Sequence, residues 1–259
     1  ANEVLRELKA MGLDRNGSIA LDAVGVALSS RGSEAEKAAP GAGDDAVVWE
    51  EIEQRTGEES RLSVTFLLFL SIATVIAGIG VLLDQPILIV GAMVVGPEFG
   101  PLAALSVGVI RRRPRVIGRS LLALTVGFAV AIVVTVLSTL ALNAGGLINR
   151  EMLLGARPLT DFIWRPDALS WVIAFLAGIA GILSLTTAKS GALIGVLISV
   201  TTVPAAGNVA VAIAYGVPDE AWGSALQLGI NLGAIATAGI LTLAVQRWLS
   251  RRRRPVARA

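Results

Sequence analysis

The stretch Gly91-Ala92-Met93-Val94-Val95-Gly96-Pro97-Glu98-Phe99-Gly100-Pro101 decides the fold of this chain. It lies inside an apolar run, residues 87–110, that is long enough to cross a membrane as a helix. Proline has no backbone N–H and clashes with the carbonyl one turn back, and glycine weakens a helix, so a broken membrane helix is predicted. Backbone groups freed at that depth are tolerated only inside protein or beside a water-filled cavity.

The apolar character extends over most of the chain. Of the 259 residues, 54% are hydrophobic and 16% are charged, whereas soluble proteins carry roughly a quarter charged residues. The mean hydropathy is +0.72, which excludes an ordinary water-soluble enzyme. The chain has no cysteine and no histidine, which excludes disulfide frameworks, thiolate metal sites and imidazole-based catalysis. We therefore expect no enzymatic activity, no catalytic residue, no metal site and no cofactor.

Six apolar runs of membrane-spanning length follow residue 61. They are residues 62–83, 87–110, 116–142, 168–188, 191–215 and 224–249. Arginine clusters follow the second and sixth runs, at residues 111–119 and 247–258, and Lys189 follows the fourth. With six spans these positive charges all face one side, which the positive-inside rule assigns to the cytoplasm. The sequence thus predicts a multi-pass protein of the bacterial inner (plasma) membrane with both termini in the cytoplasm.

Residues 1–60 have a different character from the rest. Residues 1–61 carry a net charge of −6, whereas residues 62–259 carry +8. An amphipathic helix at residues 2–11 and a strand-like segment at residues 18–28 predict a cytoplasmic α+β domain remnant and linker in residues 1–60. Because the chain starts inside a helical pattern, this domain is expected to be truncated. A six-helix transmembrane domain at residues 61–250 and a basic cytoplasmic tail at residues 251–259 are predicted to follow.

The second half of the transmembrane domain repeats the pattern of the first. Pro97-Glu98-Phe99-Gly100-Pro101 is matched by Pro204-Ala205-Ala206-Gly207-Asn208, and Ile76-Ala77-Gly78-Ile79 by Leu176-Ala177-Gly178-Ile179. Each unit has three spans, and an odd number inverts the second unit relative to the membrane. The predicted fold class is therefore an all-α polytopic membrane protein whose six transmembrane helices form a 3+3 inverted repeat, with the second and fifth helices broken by glycine and proline.

Paired breaks in two inverted halves indicate a transport site, although two simple proline kinks are the alternative. Glu98 is expected to face the bundle interior, either as a proton relay or cation ligand or as a protonated carboxyl in a structural hydrogen bond. The amides Asn208, Gln227 and Asn231 and the hydroxyls of Thr201 and Thr202 are alternatively hydrogen-bond partners that hold helices together. The candidate residues of the ion or substrate pathway are Gly96, Pro97, Glu98, Gly100, Pro101, Thr201, Pro204, Gly207, Asn208 and Asn231.

Two functions are compatible with this pattern. One is a transporter or channel for an ion or small solute, with its site between the two broken helices. The other is an oligomeric membrane scaffold or sensor whose cytoplasmic domain recruits a partner. Small-residue pairs such as Gly229 and Gly233 allow close helix approach and favour tight packing or a homo-oligomer. The expected partners are the lipid bilayer, further copies of the chain and an unidentified ion or small solute, and not nucleic acid, because the basic residues flank the apolar runs.

The residues around the predicted break also resemble a known family. Gly91-Ala92-Met93-Val94-Val95-Gly96-Pro97, then Gly100-Pro101 and Arg119-Ser120-Leu121-Leu122, is similar to the uncharacterised conserved hydrophobic domain family of prokaryotic multi-pass inner-membrane proteins, a domain of unknown function. Val203-Pro204 and Asn231-Leu232-Gly233-Ala234-Ile235 resemble its second-half signature, so that the resemblance covers about residues 62–245. It implies the membrane fold, often with an N-terminal cytoplasmic domain, and no established activity. Family members commonly carry an apolar residue where this chain has Glu98.

Overall fold

The computed structural model describes residues 60–186 and 201–252, together with positions 7, 8, 10–13, 17, 52, 56 and 57. Residues 60–186 and 201–252 contain helices and no strand. The helices of these two ranges are α1 (Val64–Leu82), α2 (Pro86–Val95), α3 (Phe99–Arg111), α4 (Pro114–Ala144), α5 (Arg150–Leu154), α6 (Ala168–Thr186), α7 (Thr202–Ala214) and α8 (Pro218–Arg252). The predicted strand at residues 18–28, and with it most of the predicted cytoplasmic domain, lies outside the described residues.

Four helices, α1, α4, α6 and α8, are long and apolar enough to cross a membrane. Helices α2 and α3 together make a fifth candidate span, which is bent by 50° at the break between them. Helix α7 is apolar but only 13 residues long, and the earlier part of the predicted fifth span lies outside the described residues. The chain is therefore a multi-pass membrane protein with four or five candidate spans in its described part, and the sixth span stays a prediction.

Short-range interactions set several helix ends. Ser63 caps α1 by accepting a backbone N–H of the first turn at 3.1 Å. Pro86 and Pro114 begin α2 and α4, where a backbone N–H would have no helical partner. Asp167 precedes α6 and accepts hydrogen bonds from the N–H and the hydroxyl of Ser170 at 2.7 and 2.8 Å. These bonds, the backbone one first, hold the pKa of the Asp167 carboxyl below its ordinary value.

The break in the second span lies where the sequence predicts it. Helix α2 ends at Val95, and α3 begins only after the N-cap residue Glu98. The structure differs from the prediction at residues 204–208, because α7 runs through them without interruption. Pro204 is the third residue of α7, as Pro101 is of α3, and a first-turn N–H has no helical partner to lose. Pro204 therefore corresponds in position to Pro101 rather than to Pro97.

Helices α3 and α7 each pack against both of the longest helices, α4 and α8. Helix α7 contacts α4 as well as α1 and α8, and α3 contacts α8 as well as α4. The crossing of α1 and α7 is close because glycines meet there. A Cβ atom on Gly207 would lie 2.8 Å from the Gly78 nitrogen and 2.9 Å from the Thr74 carbonyl oxygen. The position of α7 thus depends on backbone-to-backbone packing that a larger side chain would prevent.

Three connections meet at one end of the bundle, which we call the cap end. The longest, residues 145–167, is the cap; it contains α5 and a 3-10 turn at Asp161–Ile163. Asp84, between α1 and α2, accepts hydrogen bonds from the Leu159 N–H at 3.2 Å and from the Thr160 hydroxyl at 2.9 Å. Arg150 donates to the carbonyl of Tyr215, between α7 and α8, at 3.1 Å. The cap is therefore tied to both neighbouring turns.

The opposite end carries the arginines. Arg247 of α8 donates to the carbonyl of Ile110, at the end of α3, at 2.6 Å. Gln246 of α8 donates to the hydroxyl of Thr186, the last described residue of α6, at 2.8 Å. The arginine cluster at residues 111–119 and the start of the cluster at residue 247 therefore lie at the same end of the bundle, which we call the basic end.

We expect Gly207→Ala to lower the free energy of unfolding by about 1–3 kcal/mol, because the added methyl group would press on the backbone of α1. Gly118→Ala in α4 is the matched control, since a Cβ atom there would meet nothing within 4 Å and alanine favours a helix. Denaturant unfolding of both variants and the parent chain in detergent micelles makes the comparison. Equal stability of the two variants would contradict the close packing of α1 on α7.

Candidate functional site

Buried polar side chains follow one face of α8. Glu220, Ser224, Gln227 and Asn231 succeed one another at helical spacing, and none is more than 5% exposed. From the first to the last, the helix rises about 16 Å, roughly half of the hydrocarbon thickness of a bilayer. These four residues and their contacts on other elements form what we call the polar file. The contacts are Arg157, Thr201 and Asn208. We include the hydrogen-bonded pair of Glu98 and Thr202, because Thr202 directly follows Thr201 in the chain.

A buried ion pair closes the cap end of the file. Arg157 of the cap donates to Glu220 Oε1 at 2.5 Å, and the two side chains are 4% and 6% exposed. Asn208 of α7 donates from Nδ2 to the same carboxylate oxygen at 3.0 Å and to the Ser224 hydroxyl at 2.7 Å. The Asn208 Oδ1 atom lies 3.5 Å from the Arg157 guanidinium. The charges of Arg157 and Glu220 are thus paired and hydrogen-bonded inside the protein, as buried charges must be.

Apolar side chains hold the cap in the position from which Arg157 reaches the file. Ile148, Leu153 and Ile163 are 7%, 1% and 0% exposed, respectively. The cap also lies directly against α8, because a Cβ atom on Gly223 would collide with the Trp164 carbonyl group. The cap therefore folds back onto the bundle and covers the end of the polar file.

The inner end of the file lies where α3 and α7 begin. Glu98, the N-cap residue of α3, is 5% exposed and accepts a hydrogen bond from the Thr202 hydroxyl at 2.7 Å. Thr201, the N-cap residue of α7, accepts hydrogen bonds from Asn231 at 2.9 Å and from Gln227 at 3.4 Å. The Gln227 side chain also lies 3.4 Å from Asn231 Oδ1. The starts of two helices and the middle of a third are thus joined by polar side chains.

The helix break leaves backbone oxygens beside this inner end. Pro97 and Pro101 have no N–H, so the carbonyls of Met93 and Pro97 have no donor four residues later. Among the described residues, no hydrogen bond outside the helices has a carbonyl of residues 93–97 as its acceptor. Gly96 allows the Glu98 carboxylate to lie close to the break, because a Cβ atom on residue 96 would collide with that carboxylate and lie 2.7 Å from the Val203 side chain. The break therefore adds backbone carbonyl oxygens to the hydrogen-bond acceptors that the side chains of the file provide.

The structure brings four of the ten predicted site residues into the file and gives the other six a backbone role. The four are Glu98, Thr201, Asn208 and Asn231. Gly96 and Pro97 form the break itself, Gly100, Pro101 and Pro204 lie in the first turns of α3 and α7, and Gly207 packs against α1. The expectation that Glu98 faces the interior is confirmed by its burial.

Three members of the file were not predicted from the sequence: Arg157, Glu220 and Ser224. The predicted sixth span begins only at residue 224, whereas the structure places Glu220 in the first turn of α8, buried against Arg157. The polar spacing from Glu220 through Ser224 to Asn231 was a usable signal, because it marks one face of a helix that is otherwise apolar. Arg157 gave no such signal, since its partner lies 63 residues further along the chain.

The described surface also has an apolar groove of about 450 Å³ at the cap end. It lies between the end of α7 and the start of α8, with Val209 and Trp222 among its lining residues. Since no charged side chain lines it, the groove is separate from the polar file, and the chemistry of the site belongs to the file.

Arg157→Met is expected to lower the free energy of unfolding by about 3–5 kcal/mol, because it leaves the buried Glu220 carboxylate without its cation. Arg165→Met is the control in the same connection. Arg165 pairs with Asp161 at 3.5 Å, but these side chains are 63% and 38% exposed, so its loss should cost less than about 1 kcal/mol. Unfolding curves in the same detergent measure both. A similarly small effect of the two substitutions would show that the Arg157 pair is not buried in the folded protein.

Comparison with known proteins places this site inside a shared domain. Residues 93–237, more than half of the chain, match the family described as Domain of unknown function (DUF389). The matched region contains the helix break, the cap and the whole polar file. The uncharacterized protein MJ0678 of Methanocaldococcus jannaschii is 26% identical over 207 residues, which cover 78% of this chain and 62% of that protein. The chain thus spans less than two thirds of the length of this relative.

No solved structure matches the chain. The family match agrees with the resemblance of the residues around Gly96 and Pro97, and it extends from the end of α2 into α8. The chain therefore belongs to the DUF389 family, a family of unknown function.

Proposed function

We propose that this protein is a transporter or channel, and not an enzyme, and that an ion or small solute crosses the membrane along the polar file and past the helix break. The polar file carries the proposal. Ionisable residues within membrane segments are costly and mark pathways for ions and substrates. Three buried atoms of the file, Glu98 Oε2, Gln227 Oε1 and Arg157 Nε, have no hydrogen-bond partner among the described residues. Water or a passing solute would satisfy them.

The proposed architecture is the 3+3 inverted repeat of six spans in an inner (plasma) membrane. Helices α3 and α7 both have 13 residues. The exchange of contacts, in which α7 packs on α4 and α3 on α8, is what two intertwined copies of one unit would give. The arginines at the basic end assign that end, with both termini, residues 1–60 and the basic tail, to the cytoplasm by the positive-inside rule.

In this orientation the cap lies on the outer side and closes the file. Arg157 is 5% exposed and is bound to Glu220, so solute cannot enter past it in the described conformation. Transport requires the cap to move away from α8. The ties that would have to loosen are the Arg157–Glu220 pair and the hydrogen bonds between Asp84 and Thr160.

A homo-oligomer is the proposed quaternary state. Gly229 and Gly233 of α8 are exposed, and a Cβ atom on either would meet nothing within 4 Å. Their spacing of four residues is the one that allows close approach of two membrane helices.

Cysteine accessibility tests whether water reaches the file. Since the chain has no cysteine, Ser224→Cys introduces a single thiol on the file with little change in volume. Thr139→Cys is the control, because Thr139 is equally buried near the cap end but donates to a carbonyl of its own helix at 2.8 Å. Because the cap closes the file in the described conformation, we expect a membrane-impermeant thiol reagent added outside to modify the first variant only as the cap opens, and the second variant not at all. Protection of both thiols in folded protein would count against an aqueous path.

Flux through purified protein in liposomes tests transport directly. Protons, Na⁺, K⁺ and chloride are the panel, with empty liposomes as the baseline. Asn231→Leu should reduce the flux at least about tenfold, because it replaces an amide of the file with an apolar group of similar size, whereas Thr139→Val should leave it unchanged. Flux equal to that of empty liposomes for every ion would remove the support for an ion pathway and leave only solutes.

A further inference from the structure

We infer that the inner end of the polar file is a binding site for a small monovalent cation, with the Glu98 carboxylate as its charged ligand. The inference rests on the proposed transport function for its biological meaning and deepens it, because it names the chemical class of the transported or coupling ion. The inference depends on the charge of the site, on its unpartnered oxygen atoms and on the close approach of Glu98 to Gly96.

The charge of the site favours a cation. Glu98 is the ionisable residue at the inner end, and no hydrogen bond or ion pair from an arginine or lysine of the described residues reaches Glu98, Thr201 or Asn231. The guanidinium of Arg157 is occupied by Glu220 at the other end of the file. An ionised Glu98 therefore leaves one negative charge that a bound cation would neutralise.

The free atoms of the site are oxygens. Glu98 uses one carboxylate oxygen for the Thr202 hydroxyl, and its other oxygen, Oε2, is buried without a partner. Gln227 Oε1 is likewise buried and unpartnered. The carbonyls freed at residues 93–97 lie in the same broken segment. Carboxylate, amide and unwound backbone carbonyl oxygens are the groups with which broken membrane helices coordinate Na⁺.

The number of carboxylates favours a monovalent ion over a divalent one. No group of three or more acidic side chains that could hold a metal ion occurs among the described residues. Calcium sites in proteins draw on several carboxylates, and a divalent ion at Glu98 would keep a net positive charge at membrane depth, which is costly. One carboxylate balances one monovalent cation.

Gly96 lets the Glu98 carboxylate lie against the helix break. A Cβ atom at residue 96 would collide with the unpartnered oxygen Oε2 and would lie 2.7 Å from the Val203 side chain. Oε2 can take this position because residue 96 has no side chain. A proton would compete for the same oxygen, so cation binding should weaken as the pH falls.

Sodium binding to the purified full chain tests the inference separately from transport. Radioactive Na⁺ binding and thermal unfolding are measured in NaCl and in choline chloride of equal ionic strength, between pH 6 and pH 9. LiCl and KCl arms define the size preference. The variant Glu98→Gln removes the charge, and Thr202→Val removes the hydroxyl that orients the carboxylate. In Gly96→Ala, the added methyl group would collide with the carboxylate. Ser120→Ala is the control, because it removes a buried, unpartnered hydroxyl of α4 that is not part of the file.

We expect saturable Na⁺ binding that raises the unfolding temperature, weakens at low pH and is unchanged in Ser120→Ala. Glu98→Gln and Gly96→Ala should each weaken binding by about tenfold or more, and Thr202→Val should weaken it less. Equal stability of the parent chain in all four salts, with no saturable binding, would overturn the inference even if a variant fails to fold. So would Na⁺ binding that is the same in Glu98→Gln as in the parent. Flux of another solute without Na⁺ binding would overturn the cation site and leave the proposed transport function intact, whereas Na⁺ binding without flux would do the reverse.

Discussion

Polar groups that are taken out of water inside a membrane protein need partners within the protein, and the described structure is organised around that constraint. At Gly96 and Pro97 the second span loses its helical hydrogen bonds at a depth where lipid offers none. The bundle places polar side chains beside this break: Thr202 donates to Glu98, and Asn231 and Gln227 donate to Thr201. Helices α3, α7 and α8 meet there because their polar groups satisfy one another. The oxygens that stay free are the ones that give the site its chemistry.

The ion pair at the other end of the file is held by the fold of the cap. Burying Arg157 and Glu220 costs desolvation free energy, so the pair is weak evidence for stability and better evidence for a specific arrangement. Asn208 contributes by contacting both charges and Ser224, which links the pair to α7 and α8. Because Ile148, Leu153 and Ile163 anchor the cap from inside, movement of Arg157 requires movement of the whole segment. The position of Arg157 at the end of the file therefore depends on the fold of the whole cap.

The two halves of the proposed repeat differ in polarity. The stretch Gly118-Arg119-Ser120-Leu121-Leu122 of α4 can be aligned with Trp222-Gly223-Ser224-Ala225-Leu226 of α8. In that alignment, Glu220, Gln227 and Asn231 correspond to Val116, Ala123 and Gly127 of α4. The file thus belongs to the second half, and the first half contributes Glu98 and the broken helix. In the proposed repeat, one copy lines the route with side chains and the other with backbone. Matching residues in the two halves identify the helices of the repeat but do not show this difference between side chains and backbone.

The sequence by itself determined where the long spans lie, that the second one breaks at Gly96 and Pro97, and that Glu98 would be buried. Apolar length, the missing N–H of proline and the cost of a charge in lipid are properties of the local chain. The interruption predicted at residues 204–208 was wrong, because the sequence does not distinguish a proline in the first turn of a helix from a proline in the middle of one. Only the tertiary structure decided that Arg157 pairs with Glu220 and that Glu98 meets Thr202, 63 and 104 residues apart in the chain. The partner of a buried polar group is whatever the packed faces of distant helices bring to it, and helical periodicity says which face is polar but not which face it will meet.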